Sequence, residues 1–335
     1  MTFALIGSES LLGREIRDLA GTCSPALGLR LIAALGEQPG KLTLVGDEPA
    51  LVSGLDAESV AGARAVFLAG SAEASRQALE LLDQQPGPAI IDLTGAAEER
   101  PDARLRAPLV ESESEAEVED DGATVHVIAH PAAIALALFL RRLQAHDSIR
   151  RSVIQVFAPA SEHGMPGVEE LQQQTVSLLS FKPLPRAIFD TQIGFNLLAQ
   201  YGEEAPAALA DSELRIEHHL ATLLGLPGEG EGAPMPSLRL VQAPVFHGYS
   251  FSAWVEFDGN PGVEAIESGL ATASIEVRGS EFEPPTNVSQ AGQGGIAVGA
   301  ISLDRNNPEA CWFWLVADNL RLAAENAVAL ARQLT

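Results

Sequence analysis

Short apolar runs alternate with helix-forming stretches through the first 130 residues, and this alternation constrains the fold more than any other feature of the chain. Phe3 to Gly7 is apolar, ends in glycine and predicts a buried first strand. Leu11 to Ala20 carries helical spacing, with Leu12, Ile16 and Leu19 on one face. Lys41 to Gly46, Ala65 to Ala69 and Ala89 to Leu93 predict further strands, and Ala72 to Leu82 predicts a helix. Strands alternating with helices imply a parallel sheet covered on both faces, so an α/β, Rossmann-type doubly wound N-terminal domain is expected. A strand from Thr124 to Ala129 follows. His130 and Pro131 then open an apolar helix, Ala132 to Leu143, with proline in the first turn, where its missing N–H is no loss.

The second half reads differently. Val153–Phe157, Leu238–Phe246, Tyr249–Phe257, Ala273–Val277, Gly295–Leu303 and Cys311–Val316 are strand-like, with helices expected at Gly167–Leu179, Asp211–Leu224 and Val263–Leu270. That mixture suits an α+β dimerisation or substrate domain built on a largely antiparallel sheet. Asn319 to Leu334 predicts a closing helix. The expected division is residues 1–129 with the C-terminal helix 318–335 as a dinucleotide-binding-type domain, and 130–317 as a catalytic-type and dimerisation domain; 335 residues suit two domains of roughly 150 each. Trp312 and Trp314 alternate with Phe313, so both faces of that strand carry aromatics, as a strand buried on both faces would, chiefly in the core. Glu111–Asp121 (ESESEAEVEDD) is nearly all acidic and is expected to be a solvated surface loop.

Charge narrows the partners. With 21 Lys and Arg against 45 Asp and Glu, the formal net charge is −24. So acidic a surface repels phosphate backbones and anionic lipid heads, which argues against nucleic-acid and membrane partners. No uninterrupted apolar stretch of about 18 residues occurs, so no membrane span is expected. Charged residues follow the apolar start at once, which leaves no signal-peptide core. Cys23 and Cys311 fit no metal-ligand spacing and no disulfide framework, so no metal is expected and a cytoplasmic setting is the default.

Gly7-Ser8-Glu9-Ser10-Leu11-Leu12-Gly13 lies between the first strand and the first helix, where a dinucleotide-binding glycine loop would sit. Such a loop holds a pyrophosphate with backbone N–H groups and a helix N-terminus. Gly7, Ser8, Ser10, Leu11, Leu12 and Gly13 are the candidate cofactor contacts. Ser10 narrows the backbone approach at the middle position, and Glu9 brings a negative charge. Tight strand–helix packing explains Gly7 and Gly13 equally well. Asp47 and Glu48, taken to follow the second strand, would accept from a ribose hydroxyl and favour NAD over NADP; as turn residues before Pro49 they would do neither.

These segments resemble, in order, the aspartate-semialdehyde dehydrogenase family. The glycine loop resembles its G-A-T-G-x-V-G, and Ile90-Ile91-Asp92 its V-I-D strand. His130-Pro131-Ala132-Ala133-Ile134 resembles N-P-N-C-S/T, and Pro244 to Ser250 resembles P-V-x-x-G-H-S. Asp318-Asn319-Leu320-Arg321, followed by Ala323, Ala324 and Asn326-Ala327-Val328, resembles the C-terminal D-N-L-R-K-G-A-A-x-N-A-V with its linker one residue shorter. Within the family the chain is similar to the Usg-type branch.

The resemblance implies a cysteine nucleophile, a proton-moving histidine, an arginine that holds the substrate carboxylate, an orienting glutamine and NADP. Those positions fall here at Ala133, Tyr249, Gln242 and Ala158 respectively, with the second asparagine of N-P-N-C at Ala132. A methyl group cannot form a thioester, a phenol with an ordinary pKa of about 10 is a poor base, and an amide cannot match a guanidinium clamp. The E-E-x-K helix start resembles Ser212-Glu213-Leu214-Arg215, which keeps a cation at Arg215. The expectation is a catalytically degenerate, dimeric homologue that binds a small anionic ligand or a protein partner, an active paralogue included. The alternative is an NAD(P)-dependent oxidoreductase acting on an aldehyde or acyl group through relocated groups: His163, His247, Tyr249 and Glu213.

Overall fold

A computed structural model describes residues 2–23, 26–46, 48–83, 87–111 and 124–334. The chain divides into two compact units, Met1–Ala129 with Ala323–Thr335, and His130–Leu322.

The first unit carries β1 (Thr2–Ile6), α1 (Leu11–Thr22), β2 (Gly28–Ile32), β3 (Leu42–Val45), β4 (Glu48–Leu51), α2 (Ala57–Val60), β5 (Ala65–Leu68), α3 (Ala72–Leu82), β6 (Ala89–Asp92), β7 (Ala103–Arg106) and β8 (Val125–Ile128). Six strands form a parallel sheet in the order β2-β1-β5-β6-β8-β7. The inner strands β5 and β8 are buried along their full length, as strands covered on both faces must be. Helix starts follow from short polar caps: Ser10 accepts from Gly13 N–H for α1, and Ser71 accepts from Ala74 N–H for α3. Asp92, at the end of β6, is fully buried and accepts from the N–H groups of Thr94 and Ala97, so the acid of Ile90-Ile91-Asp92 fixes a turn.

Three expectations are corrected here. Lys41 to Gly46 does not join the parallel sheet; β3 pairs antiparallel with β4 in a separate two-stranded sheet. The second parallel strand is β2, so Glu48 belongs to the hairpin and does not end that strand, while Asp47 lies outside the described residues. Glu111 is not solvated: it pairs with Arg106 at 2.7 Å, both side chains nearly buried. The remainder of the acidic run lies outside the described residues.

The second unit carries α4 (Pro131–His146), β9 (Ile149–Ala158), a 3-10 turn (Ala160–His163), α5 (Gly164–Leu179), α6 (Leu209–Leu224), β10 (Ser237–Gln242), β11 (Tyr249–Phe257), α7 (Val263–Leu270), β12 (Ile275–Arg278), α8 (Asn287–Gln290), β13 (Ile296–Leu303) and β14 (Ala310–Ala317). The last helix, α9 (Asn319–Gln333), follows β14. The sheet order is β10-β9-β11-β14-β13-β12; the three central pairings are antiparallel and the two outer ones parallel. Phe313 enters the core and meets Phe139 of α4 edge to face at 5.1 Å. The indoles of Trp254 and Trp312, paired across β11 and β14, both donate to Asp304. Trp312 is 41% exposed, so its face of β14 is not core within this chain.

Candidate functional site

Proline at the first position of α4 cannot donate, and His130 immediately before it caps the helix. His130 Nδ1 accepts from Ala132 N–H at 3.2 Å, and its backbone N–H donates to Nδ1 of His219 on α6 at 2.9 Å. The free edge of the ring then points Nε2 at Oε1 of Glu162, 2.8 Å away. Glu162 sits on the 3-10 turn after β9, which is tied to the 245–246 loop by Ala160 N–H to Val245 C=O and Ser161 N–H to Phe246 C=O. Its other oxygen accepts from the phenol of Tyr249, the first residue of β11, at 2.7 Å. Burial pushes the Glu162 carboxyl up, but His130, the Tyr249 hydrogen bond and the Arg215 charge outweigh it and hold the group at about 2. Burial and the Glu162 charge push the Tyr249 phenol well above its usual value.

A second cluster adjoins the first. Tyr201 donates to Gln242 Oε1 at 2.7 Å, and Gln242 Nε2 donates to the carbonyls of Ala158 at 2.9 Å and Ala243 at 3.1 Å. The Tyr201 proton is thereby spent, so His163 Nε2, 2.9 Å from that hydroxyl, is the donor between them. Burial lowers the His163 pKa and, with the Glu162 charge, raises that of Tyr201. The rings of His163, Phe189 and Tyr201 meet edge to face at 5.1–5.4 Å. Ala133, Gln242 and Tyr249 are fully buried, and Ala158 nearly so.

The fold therefore brings Ala158 and Gln242 into direct contact, and links Tyr249 through Glu162 and His130 to the start of the helix that carries Ala133. Among the other candidates, His163 joins Tyr201, and Arg215 acts on Glu162 and Tyr249 by charge. Glu213 instead accepts from Leu240 N–H, and His247 feels the charge of Asp318. Cys311 feels the charge of Asp147, the residue that ends α4. At 1.5 Å per residue, that end lies about 20 Å along the helix from Ala133. Glu162, Tyr201 and His219 carry the network yet received no role from the sequence. The signal for Glu162 was present: an acid closing an otherwise uncharged run from Gln155 to Ser161. Among the described residues no cluster of His, Cys, Asp and Glu could hold a metal ion, and no helix is long and apolar enough to cross a membrane.

The first unit holds the glycine loop. Gly7 has φ +87°, and a side chain there would collide with the Gly70 backbone; one at Gly13 would strike the Gly7 carbonyl. Ser10 turns its hydroxyl inward, onto Ala69 C=O and Gly13 N–H. That bond takes one loop amide, and the N–H groups of Leu11 and Leu12 remain at the helix mouth, where helix geometry gives them no internal partner. Glu9 does not stand as an uncompensated charge. Burial opposes its ionisation, but Lys41 and Arg17, the latter at 3.1 Å, hold its carboxyl below the usual value. Ser8 is fully buried and its Oγ has no hydrogen-bond partner among the described residues. An orphan hydroxyl and two open amides at a helix start fit the phosphate end of a dinucleotide.

Residues 140–322 match the semialdehyde dehydrogenase dimerisation-domain family. The chain is 32% identical to the USG-1 protein homolog of Pseudomonas aeruginosa over 340 residues, covering all of this chain and 97% of the relative. It is 27% identical to the aspartate-semialdehyde dehydrogenase of Rickettsia bellii, covering 99% and 96%. A solved structure of a probable aspartate-semialdehyde dehydrogenase from Pseudomonas aeruginosa superposes with a TM-score of 0.85 at 28% identity, covering 100% and 98%.

Proposed function

Since this chain belongs to the semialdehyde dehydrogenase family, we propose that it is a catalytically degenerate member, a homodimeric scaffold that binds a ligand or a partner and does not turn over an aldehyde. The observation that carries this reading is the closed network around Glu162. Both carboxylate oxygens are engaged, by His130 and Tyr249, and the Gln242 amide is spent on Tyr201 and two carbonyls. Both N–H donors of the Gln242 amide are thereby used up, and each Glu162 oxygen, although it keeps a second acceptor position, is already held by a donor of the protein's own, so neither group supplies the cation or the free base that the family's reaction needs. The residue at the family's nucleophile position is a buried methyl, Ala133. Losing a nucleophile that works with partners costs on the order of 10⁶-fold in rate. The residue at the family's base position, Tyr249, keeps its proton. Cys311 does not replace the thiol, because burial raises its pKa to about 11 and it stands by the far end of α4. The dimer rests on the family match over 140–322.

An oxidoreductase with relocated groups is the competing account, and nicotinamide absorbance separates the two. The purified protein is mixed with a panel of aldehydes, with phosphate and with NAD or NADP. No protein-dependent change is expected; a saturable one sinks the degenerate reading. The triple variant Ala133→Cys, Gln242→Arg, Tyr249→His tests the residue placement, and activity gained there and absent from the parent supports it.

A further inference from the structure

We propose that the first unit is a nucleotide site selective for an adenosine ribose with a free 2′-hydroxyl, and that Glu37 is the residue that reads it. This goes beyond the state of the second unit. Glu37 lies five residues past the end of β2, the true second strand of the parallel sheet. In a doubly wound sheet the chain leaving that strand lies beside the glycine loop, and an acid there meets the ribose of a bound dinucleotide. Here the placement is direct: Glu37 Oε1 accepts from the N–H of Glu9, inside the loop, at 3.0 Å, and Oε2 accepts from Ala34 N–H at 3.1 Å.

The donor arithmetic points to a diol. A carboxylate oxygen has two acceptor positions, and each Glu37 oxygen spends one on a backbone amide. One remains on each, side by side, and a ribose 2′,3′-diol brings two O–H donors with that spacing. Two amides hold the carboxylate in place, so little side-chain freedom is lost on binding. A 2′-phosphate would instead bring a charge of about −1.5 to −2 and only acceptor oxygens against a fixed anion. Of the cations whose charge reaches the loop, Arg17 and Lys41 are drawn onto Glu9, and Arg14 acts on Glu9 by charge alone. The other end of the nucleotide has its own seat: the buried orphan hydroxyl of Ser8 and the open amides of Leu11 and Leu12.

The test is equilibrium binding by titration calorimetry, with NAD, NADP, ADP-ribose and 2′-deoxy-NAD as probes on the full chain. NAD and ADP-ribose are expected to bind, and NADP and 2′-deoxy-NAD to bind at least tenfold more weakly. Glu37→Gln, checked for folding by circular dichroism, should weaken NAD at least tenfold and bring the NAD-to-NADP ratio towards one. NADP or 2′-deoxy-NAD binding as tightly as NAD overturns the proposal. So does an unchanged ratio in folded Glu37→Gln, or no binding of any probe at millimolar concentration. If Glu37→Gln fails to fold, the 2′-deoxy comparison on the parent protein decides alone. Turnover is not measured here, so failure of this proposal leaves the degenerate-pocket reading untouched, and the reverse also holds.

Discussion

Tyr249 donates its phenol to Glu162 at 2.7 Å, and the pair seals the centre of the second unit. The carboxylate is ionised and largely shielded from solvent, so it depends on the two donors that reach it, and the phenol is held protonated by its burial and by the charge it serves.

Tyr249→Phe keeps the ring, including its stacking on Phe251 at 5.9 Å, and removes one donor from a buried charge. A loss of about 1–3 kcal/mol in unfolding free energy is expected in urea. In a double-mutant cycle with Glu162→Gln the two changes should be markedly non-additive, because each alone strands the other's partner. Additive effects would show that the two groups are not coupled.

Stability should carry a Glu162 signature in acid. The carboxyl is depressed from 4.5 to about 2 on folding, so its contribution is fully present above about pH 4.5 and is lost as pH falls towards 2. The size is on the order of 3 kcal/mol at about 1.4 kcal/mol per pKa unit. Unfolding midpoints measured from pH 6 to pH 3 should fall less steeply in Glu162→Gln than in the parent. Equal slopes would place the acid sensitivity elsewhere.

Ala133→Cys alone should stay silent in the nicotinamide assay. A thiol at the start of α4 still lacks a base, since Tyr249 keeps its proton well above neutrality, and Gln242 offers no cation. Turnover by the single variant would mean that some other group accepts the proton, with His163 the first to examine.

Phe181 is 98% exposed and Phe195 67% exposed, and both hold left-handed backbone, φ 52° and 60°, a strained state for bulky residues. Rings presented at such cost suit a surface covered by a second copy. Phe181→Asn, which tolerates that backbone, should weaken the dimer at least tenfold in sedimentation velocity and leave the fold intact. An unchanged dimer would place the interface elsewhere.

The fold was legible where burial is complete. β1, β5, β6 and β8 are interior strands with apolar sequences, and each announced itself. β2 (GLRLI) and β7 (ARLR) went unread because they are the two edges of the parallel sheet, where arginines are tolerated. Lys41 to Gly46 was legible as a strand but not as a hairpin. Alternation tells that a segment is extended; its hydrogen-bond partner is chosen elsewhere in the chain. Glu48 therefore belongs to that hairpin, whereas Glu37, five residues past the true second strand, is the acid that accepts from the loop amide of Glu9.

Local composition determined the classes of element, the order of the motifs and the identity of the side chains at Ala133, Ala158, Gln242 and Tyr249. These are properties of neighbours along the chain, governed by periodicity and backbone preference. Which groups meet was decided only in three dimensions. Glu162 is 32 residues from His130 and 87 from Tyr249, and Glu37 is 28 from the loop amide it accepts from. A buried carboxylate takes its chemistry from the donors packed around it, and no spacing within one segment specifies donors delivered by other elements of the fold.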